Sequence, residues 1–249
     1  MVFNYILLVF LFFIFSPRGV KKVDGGECMD INWQFIISTL PLYQKAAWIT
    51  IKLGFWGTLL SLVIGLVCSI ILYFRIKVLK ELVGIYVELS RNTPLLIQLF
   101  FLYFGLTKIG ITMSETTCAI IGLAFLGGSY MSEAFRSGIE AVSKTQIESG
   151  LSIGLSQMQL IRYVILPQAF AVTMPSLAAN CIFLFKETSI VGAIAIAELM
   201  HVTQDVIGMY YQTFESLFML VVAYLIIILP LSFLLTWLER KVRYAEFGN

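Results

Sequence analysis

Charge is scarce in this chain. Only 13% of its 249 residues are charged, against 59% hydrophobic and 14% aromatic. Soluble domains carry about 25% charged residues. Half that share cannot coat a protein of this size, so a water-soluble enzyme is excluded. Histidine is nearly missing: His201 stands alone, and any site needing two is ruled out. The four cysteines, Cys28, Cys68, Cys118 and Cys181, include no Cys-x-x-Cys pair. They read as small buried residues rather than metal ligands or disulfides. No Gly-x-x-x-x-Gly-Lys-Ser/Thr loop occurs, so the chain cannot hydrolyse ATP itself. The net charge of +2 is too small to suggest nucleic acid. No internal repeat or low-complexity tract divides the chain, and no catalytic residue or metal ligand set is expected.

What is present is apolar sequence in long runs, with a mean hydropathy of +0.90. There is too much to bury for disorder, and the lipid bilayer is the natural solvent. Hydrocarbon admits only helices or closed barrels. Barrel strands alternate apolar and polar residues, whereas these runs are continuous, which predicts an all-α membrane protein. A spanning helix needs about 20 mostly apolar residues. Five stretches qualify: Trp48–Phe74, Leu95–Ile111, Thr117–Ala134, Ala169–Phe185 with an irregular continuation to Met200, and Leu217–Leu238.

Residues 1–16 hold a further apolar run, Val2–Phe15, of span, anchor or interfacial type. It lacks a basic leader, and Ser16-Pro17 is a poor cleavage site, which favours an uncleaved membrane-associated segment. Residues 17–47 read as a polar linker followed by a mixed stretch, Trp33–Ala47, that contains Pro41 and suits the interface. The spans then fill residues 48–240, and 241–249 form a cytoplasmic tail. Ten basic residues fall on one side of the five spans: Arg75, Lys77, Lys80, Arg91, Arg136, Lys144, Arg162, Arg240, Lys241 and Arg243. The opposite loops hold Lys108 alone. Cytoplasmic loops favour Lys and Arg, so the core starts outside and ends inside. Arg18, Lys21 and Lys22 run against that assignment.

Cytoplasmic residues 143–167, SKTQIESGLSIGLSQMQLIRYVILP, are the most informative stretch. Ser143 with Gln146, and Ser156 with Gln159, both fit the capping box that opens a helix. Gly154 between them suits a left-handed helix end. The pattern predicts two short helices joined at a glycine corner, with Pro167 starting the next span, where its missing amide does no harm. An ordinary amphipathic loop lying on the membrane is the plainer alternative.

The segment resembles the EAA loop of bacterial ABC-importer permeases: Glu148-Ser149-Gly150, then Gly154, then Ile165-Leu166-Pro167. Ser149 and Gly150 replace the family's two alanines and are also small. Three further stretches resemble the polar-amino-acid (His/Glu/Gln/Arg-type) permease branch. They are Arg91–Leu106 (RNTPLLIQLFFLYFGL, with Asn92 where the branch has Gly), Tyr130–Ile139 (YMSEAFRSGI) and Phe185–Ile190 (FKETSI). The chain is identified on these four stretches as a member of that family. The resemblance implies a type I ABC-importer permease fold with a five-helix core plus the N-terminal hydrophobic segment, multi-pass in the bacterial inner membrane. It implies three partners besides lipid: a cytoplasmic ABC ATPase dimer, which uses ATP and Mg while this chain binds no cofactor, a periplasmic amino-acid-binding protein, and a second permease subunit, identical or not. It also implies that the loop, led by Glu148 and cornered at Gly154, docks the ATPase.

Ionisable groups at membrane depth default to a functional hypothesis. Glu133 and Arg136, at i and i+3, suit either an interfacial ion pair or a place for Glu133 on the translocation path. Lys186 and Glu187, followed by Thr188 and Ser189, interrupt the fourth span, as either a cavity-lining turn or a structural kink. Gln98 and Asn180 suit helix-to-helix hydrogen bonds or the pore. Gly54, Gly57 and Gly65 suit close helix contact. Rival readings fare poorly. An intramembrane serine protease would have to use His201, near an outer loop. A self-sufficient carrier would be expected to show paired halves. Glutamine or glutamate is the favoured solute, with arginine, histidine and cystine as alternatives.

Overall fold

The computed structural model describes residues 31–74 and 76–247. The expectations for the run Val2–Phe15 and for Arg18–Asp30 lie outside the described residues. The chain divides into a short unit, Met1–Gln34, and a large one, Phe35–Asn249. In the first, the Ile31 carbonyl accepts the Trp33 N–H at 3.0 Å where a helix begins.

Among the described residues all regular structure is helical. The helices are α1 (Trp33–Tyr73), α2 (Lys77–Asn92), α3 (Leu95–Phe100), α4 (Glu115–Glu140), α5 (Lys144–Ser152), α6 (Gln157–Leu160), α7 (Leu166–Glu187), α8 (Leu199–Tyr210) and α9 (Thr213–Phe247). π turns at Phe101–Gly105 and Ile161–Ile165 extend α3 and join α6 to α7. The 3₁₀ turns Leu106–Ile109 and Thr188–Ile194 end those two runs. Four stretches are long and apolar enough to cross a bilayer: Trp33–Tyr73, Glu115–Glu140, Gln157–Ile194 and Thr213–Arg243. Leu95–Ile109 is a shorter apolar helix. These carry the five expected spans, with different limits in three places.

First, Trp33–Ala47 is not a separate interfacial segment. It is the first part of the 41-residue helix α1, which runs through Pro41. Tyr43 and Ala46, just beyond the proline, are buried in a cluster with Leu199, Val206 and Met219. Tyr43 also donates to the Ser216 carbonyl at 3.1 Å. Tertiary burial outweighs the one helical bond that proline removes.

Second, the second span reaches further back than Leu95. α2 packs along the inner half of α4: Tyr86 Oη donates to the Phe125 carbonyl at 2.7 Å, and Ser90 Oγ donates to the same carbonyl at 3.0 Å. Phe125 sits near the middle of α4, so the end of α2 reaches the middle of that helix. α3 continues past it: a Cβ on Gly122 would meet Leu99 at 2.7 Å and Leu95 at 3.4 Å. Arg91 is therefore in the last turn of a helix packed on α4 and not in a loop. Sequence periodicity hides this because α2 has three faces. Val83, Val87 and Ser90 are buried, Val78, Leu82, Ile85 and Leu89 are exposed and apolar, and Lys80, Glu88 and Arg91 form a polar stripe.

Third, the fourth span begins at Gln157. α6 is not separate from the span expected to start at Pro167 but runs through the π turn into α7. A proline ring clashes with the carbonyl four residues earlier, and one wide π turn makes the room.

α4 packs extensively on α7, and α9 packs on α7. Leu53, Leu99, Leu123, Met131, Leu184, Val191 and Ile194 are all essentially inaccessible in this core. α1 enters it along small residues. A Cβ on Gly57 would sit 2.8 Å from Leu123 Cβ, and one on Gly65 would sit 2.8 Å from the Met131 carbonyl carbon and 2.8 Å from the Ser132 nitrogen. The expected close contact of the α1 glycines is what the packing requires.

Candidate functional site

Two places hold the sequence-derived site residues. One is the segment between α4 and α7. Both capping boxes are formed. Gln146 N–H donates to Ser143 Oγ and Ser143 N–H to Gln146 Oε1, each at 3.3 Å. Gln159 N–H donates to Ser156 Oγ at 3.3 Å, and Ser156 N–H to Gln159 Oε1 at 2.9 Å. Gly154 has φ +86°. The Leu155 N–H reaches the Gly150 carbonyl at 3.1 Å and the Gly154 N–H reaches the Leu151 carbonyl at 3.0 Å. That pair of bonds is the Schellman motif, which satisfies carbonyls left open at a helix end.

The segment also has its own core of Val142, Leu160 and Ile165, with Ile147 and Leu155 packed against it. Gly150 and Ile165 are buried and serve that core, whereas Glu148, Ser149, Gly154 and Leu166 are exposed and Pro167 is half-buried. A Cβ at Gly150 would meet Leu160 Cδ1 at 2.5 Å. Large apolar side chains face outward here: Leu151, Ile153 and Met158, with Ile153 79% exposed. An element packed on its own core, with exposed apolar knobs, is suited to a protein partner.

The other place is a charged crevice between α2 and the C-terminal half of α4. Arg136 lies between two carboxylates, 2.8 Å from Glu133 Oε2 and 2.9 Å from Glu140 Oε1. Arg91 comes from α2, 3.8 Å from Glu133 and 5.2 Å from the Tyr130 ring centre. Lys80, Gly84 and Glu88 complete a cavity of about 490 Å³. The expected Glu133–Arg136 pair is present, enlarged by Arg91 and Glu140. Asn180 Nδ2 donates to the Tyr130 carbonyl at 3.3 Å, which ties α7 to α4 just above the crevice. Gln98 is placed differently. Its Nε2 donates to the Ser90 and Thr93 carbonyls, each at 3.0 Å.

Lys186 to Ser189 are not part of this crevice. Lys186 and Glu187 do not interrupt the fourth span but form its last helical residues. The backbone tightens to a 3₁₀ turn only at Thr188, whose Oγ1 donates to the Phe185 carbonyl at 2.7 Å. Lys186 is exposed, Glu187 half-buried and Thr188 buried.

Sequence reasoning passes over three residues. Arg91 reads as a loop charge. Tyr130 lies between Arg91, Asn180 and the Phe183 ring, 5.3 Å away. Glu198 is fully buried at the start of α8, its carboxylate accepting the N–H groups of Met200 and His201 at 2.8 Å each. A glutamate three residues before a lone histidine carries no recognisable signal. The RNTP run does carry one for Arg91, since a proline behind three polar residues marks a helix boundary.

The family model described as "binding-protein-dependent transport system inner membrane component" matches residues 57–244. The probable amino-acid ABC transporter permease protein PatM of Vibrio harveyi is 32% identical over 220 residues, which cover 87% of this chain and 99% of that protein. The glutamine transport system permease protein GlnP of Escherichia coli K12 is 32% identical over 217 residues, which cover 86% of this chain and 99% of that protein. Among solved structures, an amino acid ABC transporter crystallised with histidines superposes with a TM-score of 0.79 at 31% identity, over 86% of this chain and 100% of that one. The inward-facing MetNI methionine ABC transporter, 21% identical with a TM-score of 0.69 over 82% of this chain and 98% of that one, shares the fold.

Proposed function

Because the chain belongs to the family of binding-protein-dependent transport system inner membrane components, we propose that it is the permease that carries polar amino acids inward under the drive of a separate ATPase. Glutamine and glutamate are the first candidates, since GlnP proteins of two bacterial species are among its relatives. The observation that carries the reading is the build of residues 143–167. Capped at both ends and packed on its own core, α5 can pass a push to the spans without absorbing it. An ATPase dimer that closes on ATP and Mg supplies the push. A secreted binding protein delivers the solute from outside, and a second permease subunit, the same chain or a sister, completes the path. Glu133, Arg91 and Arg136 give the inner half of that path charges of both signs, which suits a zwitterion.

The test is uptake of labelled glutamine and glutamate into proteoliposomes that hold the whole complex. Uptake is expected only with ATP inside and the binding protein outside. Equal uptake without ATP overturns the proposal.

Two variants address the loop. Gly154→Val forces a β-branched residue into the left-handed region at a cost of about 1–2 kcal/mol or more. An added Cβ there meets nothing within 4 Å, so backbone distortion is the whole effect. ATP hydrolysis is expected to persist while uptake falls about tenfold or more, the scale of that cost; uptake at the parent level would remove the corner from the mechanism. Glu148→Lys reverses an exposed charge and is expected to lower recovery of the ATPase on co-purification, most clearly at low salt. Undiminished recovery would count against the contact.

A further inference from the structure

The helical run is broken between α2 and α3. α2 ends at Asn92, Thr93 is extended at φ −115° and ψ 131°, and α3 starts at Leu95 after Pro94. Carbonyls freed at such a break need new donors. Side chains supply them. Asn92 Nδ2 and Thr93 Oγ1 add second donors to two carbonyls still inside the helix, those of Glu88 at 2.8 Å and Leu89 at 2.6 Å. In an unbroken helix the Ser90 carbonyl would accept from residue 94, but Pro94 has no N–H. Gln98 Nε2 takes that place at 3.0 Å and also donates to the Thr93 carbonyl at 3.0 Å. Two of the three facing groups are carbonyls and the third is Thr93 Oγ1 at 3.1 Å, so the amide nitrogen points at them, and Oε1 is left buried without a partner. Gln98 belongs to α3, while Ser90 lies in the last turn of α2. Its side chain bridges the break.

The last turn of α2 also carries Arg91, whose guanidinium lies by Tyr130 and Glu133 in the crevice. We infer that Gln98 is a positioning residue that clamps the elbow at 91–94 and thereby holds Arg91 against Glu133. With the clamp released, α2 can swing about Thr93, and Arg91 leaves the crevice. The device rests on the importer reading for its effect on uptake, but not for its effect on geometry.

Two measurements on the complete complex test it. Spin labels at Leu82→Cys and Ile109→Cys, both exposed positions on either side of the break, report the elbow by pulsed electron resonance once native cysteines are replaced by serine. One narrow distance is expected with Gln98, and a broadened or shifted distribution with Gln98→Met, which keeps length but cannot donate. An unchanged narrow distribution overturns the clamp, whatever transport does. Gln98→Asn keeps the donor on a shorter arm and gives the same reading if the Met variant is not recovered. In the uptake assay, Gln98→Met and Glu133→Gln are each expected to cost about tenfold, the scale of one lost buried hydrogen bond. Together they should cost no more than the worse of the two, since residues acting through one contact are not additive. Multiplied losses would separate Gln98 from the ion pair and overturn the positioning role. Absence of ATP-driven uptake in the parent would instead fall on the importer reading and leave the elbow measurement standing.

Discussion

Gly65→Leu is expected to leave little recoverable protein in the membrane. An added Cβ at Gly65 meets the Met131 carbonyl carbon at 2.8 Å and the Ser132 nitrogen at 2.8 Å. Those are backbone atoms of α4 and cannot rotate aside. α1 and α4 must part, which also breaks the hydrogen bond from Ser61 Oγ to the Leu123 carbonyl, 3.3 Å long in the parent. Overpacking against side chains costs about 1–3 kcal/mol, and an obstacle made of main chain puts this case at the upper end or beyond. Lipid provides no hydrophobic drive to push the helices together again, because packing itself holds them. Size-exclusion profiles of detergent-extracted membranes measure the outcome. Gly208→Ala, where a new Cβ meets nothing within 4 Å, is the control. A monodisperse Gly65→Leu peak at the control's height would show that the two helices do not need this approach.

Glu198→Ala should unravel the start of α8. The fully buried carboxylate accepts two backbone N–H groups at 2.8 Å each and lies 3.5 Å from Tyr224 Oη. An N-cap is worth about 0.5–2 kcal/mol where water can substitute for it. Here water is excluded, so each orphaned amide adds a desolvation cost of about 1–3 kcal/mol. The negative charge at a helix N-terminus is also lost. Glu198→Gln keeps one acceptor oxygen and is expected to fall between the two. Amide hydrogen exchange over residues 199–210 reads this directly. Protection in the alanine variant equal to the parent would mean that neighbouring packing, not the carboxylate, fixes α8.

The parts legible in the sequence are those governed by local chemistry. Ser143 and Gln146 sit three residues apart, and that spacing suffices to place a capped helix. Gly154 follows from the same local logic, since a helix end that turns left asks for glycine. Glu133 and Arg136 share one helix face whatever surrounds them. What stays hidden depends on partners distant in sequence. Trp33–Ala47 has the mixed polarity of an interfacial stretch, and only Leu199, Val206 and Met219 explain why it is core. Arg91 looks like one more cytoplasmic charge because α2 divides its surface among protein, apolar surroundings and a polar crevice. Gln98 acquires a role only beside Pro94, four positions earlier, which leaves the Ser90 carbonyl without a backbone donor. The join of α6 to α7 is hidden by Pro167, which marks a boundary in most helices but is absorbed here by a π turn.

That join has a mechanical consequence. From Gln157 to Glu187 the backbone is helical without a gap, a rod of about 45 Å at 1.5 Å per residue. Its foot stands among the apolar knobs of the 143–167 segment, and its head meets the 3₁₀ turn that leads to Glu198. Within it, the π turn at Ile161–Ile165 and Pro175 are the two places where such a rod bends. A push at the foot therefore reaches the head through those two points, whereas between α2 and α3 the helix itself is interrupted at Thr93 and Pro94.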